Sequence, residues 1–107
     1  MSGFRFMRMF VFFDLPTLTM EDRRNYRNFR KALIKNAFIM LHESVYCKMM
    51  TSPSVENTCK KMIRDNKPPK GIVQTLSITE KQFVKMDYVV GEYKGDIIDS
   101  EERLIVL

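Results

Sequence analysis

Apolar residues alternate between two sides of the segment MRMFVFFDL, residues 7–15, which is rich in aromatic and branched side chains and predicts a first strand. The period of two places Met9, Val11 and Phe13 on one face of the strand. Arg8, Phe10, Phe12 and Asp14 fall on the other face. Both faces are apolar at their centre, so we expect both to be covered, whereas a sheet with one solvated face shows polar residues at alternate positions.

A helical period follows over residues 20–36, where Tyr26, Phe29 and Leu33 recur at spacings of three and four and predict the buried stripe. Thr19 is the expected N-cap. Acidic residues follow it in the first turn, where the helix dipole favours them. We therefore predict an amphipathic first helix.

The remaining patterns predict shorter elements. Residues 38–50 fit either a kinked strand or two short strands, and Ser52-Pro53 is typical of the start of a second helix. Residues 72–79 and 88–92 predict two further strands, separated by a short helical turn over residues 80–86. A terminal strand is expected within residues 100–107, which could pair with a sheet edge in the dimer or in a partner.

This order predicts the α+β class, as one ferredoxin-like βαββαβ sandwich over residues 1–107 with an additional C-terminal strand. No predicted helix is left to cover Phe10 and Phe12 on the outer face of the first strand. We therefore expect a homodimer in which a second copy of the chain covers these two side chains.

Basic residues repeat along one side of the predicted first helix. The formal net charge is +5, and Arg23, Arg27, Lys31 and Lys35 repeat every four residues. Like charges at this spacing destabilise an isolated helix, and a solvated face usually mixes signs. An anionic partner is favoured, with an ordinary solvated face as the alternative.

The cysteines, the apolar runs and the N-terminal segment indicate in which compartment the protein acts. Cys47 and Cys59 lack metal-ligand spacing and are expected to be small buried side chains. No apolar run approaches the ~20 residues that a membrane span needs, so no membrane partner is expected. Charged residues interrupt the N-terminal segment before a signal peptide could form, and we expect a cytoplasmic protein.

Common catalytic motifs are missing from the sequence. His42 is the only histidine, and neither a G-x-S-x-G elbow nor a glycine-rich phosphate loop is present. An RNA-recognition domain shares the predicted fold, but Lys70-Gly71-Ile72-Val73 lacks the stacking aromatics of that domain. Asp14 remains: it is either a turn residue before Pro16, or a carboxylate that meets its symmetry mate and holds a divalent cation or shares a proton.

Five segments together resemble the CRISPR-associated "Cas two" family, specifically its type II-A branch, over nearly the whole chain. They are MRMFVFFDLPT, DRRNYRNFRKAL, AFIMLHESVY, TEKQF and SEER. Ala37 departs from the family pattern, which usually has glycine at this helix end.

The resemblance implies a ferredoxin-like homodimer that joins the "Cas one" integrase in acquiring new spacers and supports double-stranded DNA, the spacer precursor. It implies nucleic-acid contacts by Arg23, Arg24 and Arg27, to which the basic row adds Lys31. It also implies that Asp14 is a metal-binding and catalytic residue with Mg²⁺ as the cofactor. Two functions stay open: a non-catalytic DNA-binding scaffold, or a metal-dependent endonuclease centred on Asp14.

Overall fold

The structure is a computed structural model that describes residues 6–92. Its elements along the chain are β1 (Met7–Asp14), α1 (Met20–Lys35), β2 (Ile39–His42), β3 (Val45–Met50), α2 (Pro53–Asp65), β4 (Ile72–Thr79) and α3 (Glu80–Phe83). The four strands form one sheet in the order β2-β3-β1-β4, and all neighbours are antiparallel. The predicted ferredoxin-like α+β sandwich is confirmed.

The core lies between one face of the sheet and the two longer helices. Met9, Val11 and Phe13 project from β1 into this core, as their alternation predicted. Phe29 and Leu33 of α1 meet them there, and α2 contributes Cys59 and Ile63. The ring of Phe13 packs edge-on against Phe29 with centroids 5.3 Å apart.

Local signals in the sequence set the helix starts. The Thr19 hydroxyl accepts a hydrogen bond from the Asp22 N–H at 2.9 Å, and the Asp22 carboxylate accepts one from the Thr19 N–H. This reciprocal pair satisfies two donors that a helix start leaves without partners. Ser52 caps α2 in the predicted way, with Pro53 in its first turn. The predicted helix starts are confirmed.

The segment 38–50 consists of two strands rather than one kinked strand. A turn at Glu43 and Ser44 joins β2 to β3, and an irregularity in pairing lies between Met40 and His42. Cys47 and Cys59 are both buried thiols, as expected, and burial raises the pKa of each. Among the helices of residues 6–92, none is long and apolar enough to cross a membrane.

The predicted strand at residues 88–92 is wrong. These residues form no strand, and Val89 and Val90 are each 89% exposed. Two adjacent β-branched residues favour an extended chain, but a strand also needs a neighbour to take its backbone hydrogen bonds. The described chain places no strand beside them. The predicted terminal strand, residues 100–107, lies outside the described residues.

Ala37 has a left-handed backbone, with φ of 70°, directly after α1. Its N–H donates to the Ile34 carbonyl at 3.0 Å, and the Phe38 N–H donates to the Leu33 carbonyl at 3.0 Å. This is the helix end at which glycine is favoured, because a Cβ costs roughly 1–2 kcal/mol in this conformation.

Replacing Ala37 with glycine is therefore expected to stabilise the fold. The gain in free energy of unfolding should be about 0.5–1 kcal/mol, because the extra freedom of glycine in the unfolded chain offsets part of the relieved strain. Thermal and denaturant unfolding would measure it. Ala32→Gly, inside α1, is the matched control and should lose about 0.5–1 kcal/mol. A loss of similar size at both positions would contradict this account of Ala37.

Candidate functional site

A cleft of about 500 Å³ lies where β1 ends, beside the first half of α1 and the turn between β2 and β3. Asp14, Arg23 and Arg27 meet there with Glu43, which lies sixteen residues beyond Arg27 in the sequence. The residues that line it are Phe13, Asp14, Leu15, Thr17, Arg23, Tyr26, Arg27, Glu43 and Ser44. We call it the Asp14 cleft.

The backbone on both sides holds Asp14 at the rim of the cleft. Leu15 is buried directly after it, while the Asp14 side chain is exposed. Gly71, with φ of +92°, passes so close that a Cβ there would lie 2.6 Å from the Asp14 carbonyl oxygen. Glycine is therefore required at position 71 for this approach, and it fixes the end of the strand.

The two readings of Asp14 differ in what its carboxylate contacts. An aspartate that forms a turn usually accepts a hydrogen bond from a backbone N–H about two residues further on. At that position the chain has Pro16, which has no N–H to donate, so this turn contact is not available to Asp14. The Asp14 side chain is exposed at the rim, where a ligand of the cleft can reach it.

Glu43 is a second carboxylate in the cleft, and sequence reasoning did not assign it to a site. The Phe13 N–H donates to the Ser44 carbonyl at 3.1 Å, which brings the turn between β2 and β3 against the end of β1. The Tyr26 hydroxyl donates to the Glu43 carbonyl oxygen at 3.4 Å. Burial, followed by the nearby Glu43 carboxylate, raises the pKa of Tyr26. The polar pair Glu43-Ser44 inside an apolar segment was the signal for this turn.

Four basic residues of α1 were predicted to contact nucleic acid, and in the structure they do not all line the same surface. Arg23 and Arg27 line the Asp14 cleft. Lys31 instead lines a groove between α1 and α2, and Arg24 is exposed but lines neither. All four side chains are exposed, and none forms a salt bridge with an acidic residue in the described part of the chain.

Arg23 is held in a defined position. One terminal nitrogen of its guanidinium donates to the carbonyl oxygens of Thr17 and Leu18, at 3.0 and 3.1 Å. A guanidinium has five N–H donors in a planar fork. Arg23 can therefore keep both contacts to the backbone and still donate to a phosphate in the cleft.

The donor set of the cleft fits Mg²⁺ with a bound substrate. Mg²⁺ typically keeps several waters and is held by one or two carboxylates together with substrate phosphates. Asp14 and Glu43 would supply the carboxylates, and Arg23 and Arg27 would hold the phosphates. Nowhere in residues 6–92 do three His, Cys, Asp or Glu side chains cluster as a metal site.

The outer face of the sheet differs from the sequence-based expectation. Phe10 is buried within its own chain, because the ring of Phe83 in α3 packs on it with centroids 5.7 Å apart. Arg8 forms an ion pair with Glu80 and places its guanidinium 4.0 Å from the Phe83 ring centroid. The expectation that no helix of the chain covers Phe10 is therefore wrong, because a single turn of helix with one aromatic ring is sufficient.

The rest of this outer face stays accessible in one copy of the chain. Phe12 is only half-buried, and Leu76 and Ile72 on the neighbouring strand β4 are 54% and 56% exposed. The register of β1 and β4 places all three side chains on the same side of the sheet as Phe10. We call Phe12, Ile72 and Leu76 the outer apolar patch.

Comparison with known proteins gives a consistent family assignment. A family model described as "CRISPR associated protein Cas2" matches residues 7–86. A "CRISPR-associated endoribonuclease Cas2" of Treponema denticola is 48% identical over 101 residues, covering 94% of this chain and all of the relative. Proteins of the same name from Lacticaseibacillus rhamnosus and Streptococcus mutans are 44% and 43% identical over 101 residues. Each match covers 94% of this chain, and 100% and 93% of those relatives respectively.

Proposed function

The chain belongs to the CRISPR-associated protein Cas2 family, as its resemblance to the type II-A branch indicated, and from this premise we propose that it is a DNA-binding scaffold for spacer acquisition. In this role a homodimer bridges the subunits of the "Cas one" integrase and supports the double-stranded DNA to be inserted. We place this spacer-acquisition role in the cytoplasm.

One observation carries the proposal: Arg23 and Arg27 are exposed, line the same cleft, and make no salt bridge within the described chain. Arginine is well suited to hold phosphates, because its planar fork matches phosphate geometry. No groove-reading motif accompanies them. Binding should therefore be carried by the DNA backbone and be independent of base sequence.

A titration of the purified chain with a short duplex, repeated over a range of salt concentrations, tests this function. Binding through phosphates gives a linear fall of log affinity with log salt, with a slope of about −0.9 for each phosphate neutralised. Duplexes of unrelated sequence should give the same affinity. A strong preference for one sequence would contradict the proposal.

The outer apolar patch supports the homodimer. Phe12, Ile72 and Leu76 leave apolar area accessible on one face of the sheet, with Gln74 between the two residues of β4, and exposed apolar groups of this kind mark sites of association. A second copy that presents the same patch about a twofold axis would cover it. We propose that Phe12 contacts the partner copy. Phe10 is buried in its own chain and its ring packs against Phe12.

Replacing Phe12 with glutamate is expected to convert the dimer to monomer. A carboxylate at the centre of an apolar interface would be buried without a partner, which costs several kcal/mol. Sedimentation at micromolar concentration would measure the oligomeric state. Leu18→Glu is the matched control, because Leu18 is 87% exposed and lies in the loop between β1 and α1. A wild-type chain that sediments as a folded monomer would contradict the homodimer.

A second candidate function is a metal-dependent endonuclease, and the name endoribonuclease that the relatives carry favours RNA as its substrate. The observation behind it is that Asp14 and Glu43 share a cleft with two arginines. Bound Mg²⁺ would activate a water molecule and neutralise charge that develops on the phosphate. Asp14 and Glu43 would hold the ion, and the arginines would orient the phosphodiester.

A further inference from the structure

We propose that the groove between α1 and α2 is a second phosphate-binding surface, separate from the Asp14 cleft. It measures about 750 Å³ and is lined by Lys31 and Lys35 of α1 and by Lys61 of α2. We call it the helix groove. The inference rests on the proposed nucleic-acid binding and extends it to a surface that shares no lining residue with the Asp14 cleft.

Helix geometry explains why one basic row serves two surfaces. An α-helix has about 3.6 residues per turn, so each step of four residues rotates the side chain by about 40°. The three steps from Arg23 to Lys35 therefore turn the row through about 120° around α1. Its first members reach the Asp14 cleft and its last members reach the helix groove, and the two surfaces share no lining residue. The same phosphates cannot occupy both.

The helix groove carries positive charge that the described chain does not neutralise. Lys31 and Lys35 are exposed and form no salt bridge within residues 6–92. Lys61 is paired with Asp65, its ammonium 2.6 Å from the carboxylate, and Asp65 also lines the groove. Both side chains of this pair are more than half exposed, and such pairs contribute little, so a phosphate can compete for Lys61.

The other residues of the groove favour nucleic acid over an acidic protein. Apart from Ala32 and Met62, the lining is polar or charged, and it contains no aromatic residue. Protein–protein interfaces are enriched in aromatic residues and depleted of lysine. Phosphate contacts instead come from lysine together with short polar side chains, such as Asn28 and Thr58 in this groove. We therefore assign the groove to the sugar–phosphate backbone.

The test compares two triple variants that remove the same charge. One carries Lys31→Gln, Lys35→Gln and Lys61→Gln in the helix groove, and the control carries Lys67→Gln, Lys81→Gln and Lys85→Gln. All six lysines are exposed, and the control positions line neither surface. Glutamine has nearly the helix propensity of lysine, so both variants should fold, which far-ultraviolet circular dichroism would verify.

Duplex affinity is then measured against salt for the wild type and both variants. If all three groove lysines contact phosphate, the magnitude of the log–log slope should fall by about 2.7 in the groove variant, at about 0.9 per contact. In the control variant, the magnitude of the slope should fall by less than about 0.9, the value for one phosphate contact. Equal slopes in the groove variant and the wild type would overturn the inference while leaving the proposed function intact. A wild type that binds no duplex would overturn both.

Poly-L-glutamate serves as a second probe, because it carries acidic charge without phosphate. We expect the groove variant to lose duplex contacts regardless of how it binds this polymer. A groove variant that keeps the full salt slope on duplex but no longer binds poly-L-glutamate would show that the groove takes an acidic protein. That result would overturn the assignment to nucleic acid.

Discussion

Replacing Arg23 and Arg27 together with glutamate is expected to weaken duplex binding by at least about 100-fold at moderate salt. Each charged hydrogen bond contributes about 1.5–3 kcal/mol, so losing two exceeds the 2.8 kcal/mol or so that corresponds to 100-fold. The reversed charges also repel the phosphates. The magnitude of the salt slope should fall by about 1.8, and the loss should be the same for duplexes of unrelated sequence.

The double variant should remain folded. Arg23 would lose its contacts to the carbonyl oxygens of Thr17 and Leu18, but an acidic residue near the start of α1 is favoured by the helix dipole. Lys81→Glu together with Lys85→Glu is the matched control, since it reverses the same charge at exposed positions outside the Asp14 cleft. If the control weakened binding as much as the arginine variant, net charge alone would explain the effect and the cleft would have no special role.

Asp14→Asn separates the two candidate functions, because asparagine keeps the shape of aspartate and removes its charge. Without Mg²⁺, the variant should bind duplex at least as tightly as the wild type, since a negative charge in the same cleft as Arg23 and Arg27 has been removed. Any Mg²⁺-dependent cleavage of RNA or DNA should fall by more than about 100-fold. Loss of a direct ligand should exceed the 10–100-fold typical of outer-shell changes.

The matched control for this prediction is Asp87→Asn, an exposed aspartate outside the Asp14 cleft, which should change neither property. Metal-dependent cleavage that persists in Asp14→Asn would show that Asp14 is not a metal ligand. Loss of duplex binding without Mg²⁺ would instead show that Asp14 holds the cleft in shape. A rise of melting temperature with Mg²⁺ that is seen only in the wild type would support a cation at this carboxylate.

Local patterns in the sequence were sufficient to predict most of the fold. The alternation in β1 correctly assigned Met9, Val11 and Phe13 to the core, and the caps at Thr19 and Ser52 correctly marked the two helix starts. These signals act over a few residues, because a period or a cap depends only on the nearest backbone groups. The charge repeat and the end of the first strand singled out Arg23, Arg27 and Asp14 as candidate site residues, and the family resemblance implied the role of each.

What the sequence did not show depends on contacts between distant segments. Glu43 reaches the Asp14 cleft because the turn that carries it packs beside the end of β1. Phe83 covers Phe10 although more than seventy residues separate them in the sequence, and no local pattern at either position predicts this contact. The basic row looked like one surface because a repeat of four was taken as a straight line, although it winds around the helix.

The central claim, that this chain is a DNA-binding scaffold for an integrase, is tested most directly by co-purification. The untagged chain would be mixed with its tagged cognate integrase, with and without a short duplex, in buffer containing Mg²⁺. We expect the chain to be retained as a dimer, to be retained more strongly when duplex is present, and to leave the duplex uncut. Failure of the chain to co-purify at micromolar concentration, together with Mg²⁺-dependent cutting of nucleic acid by the chain alone, would contradict the claim.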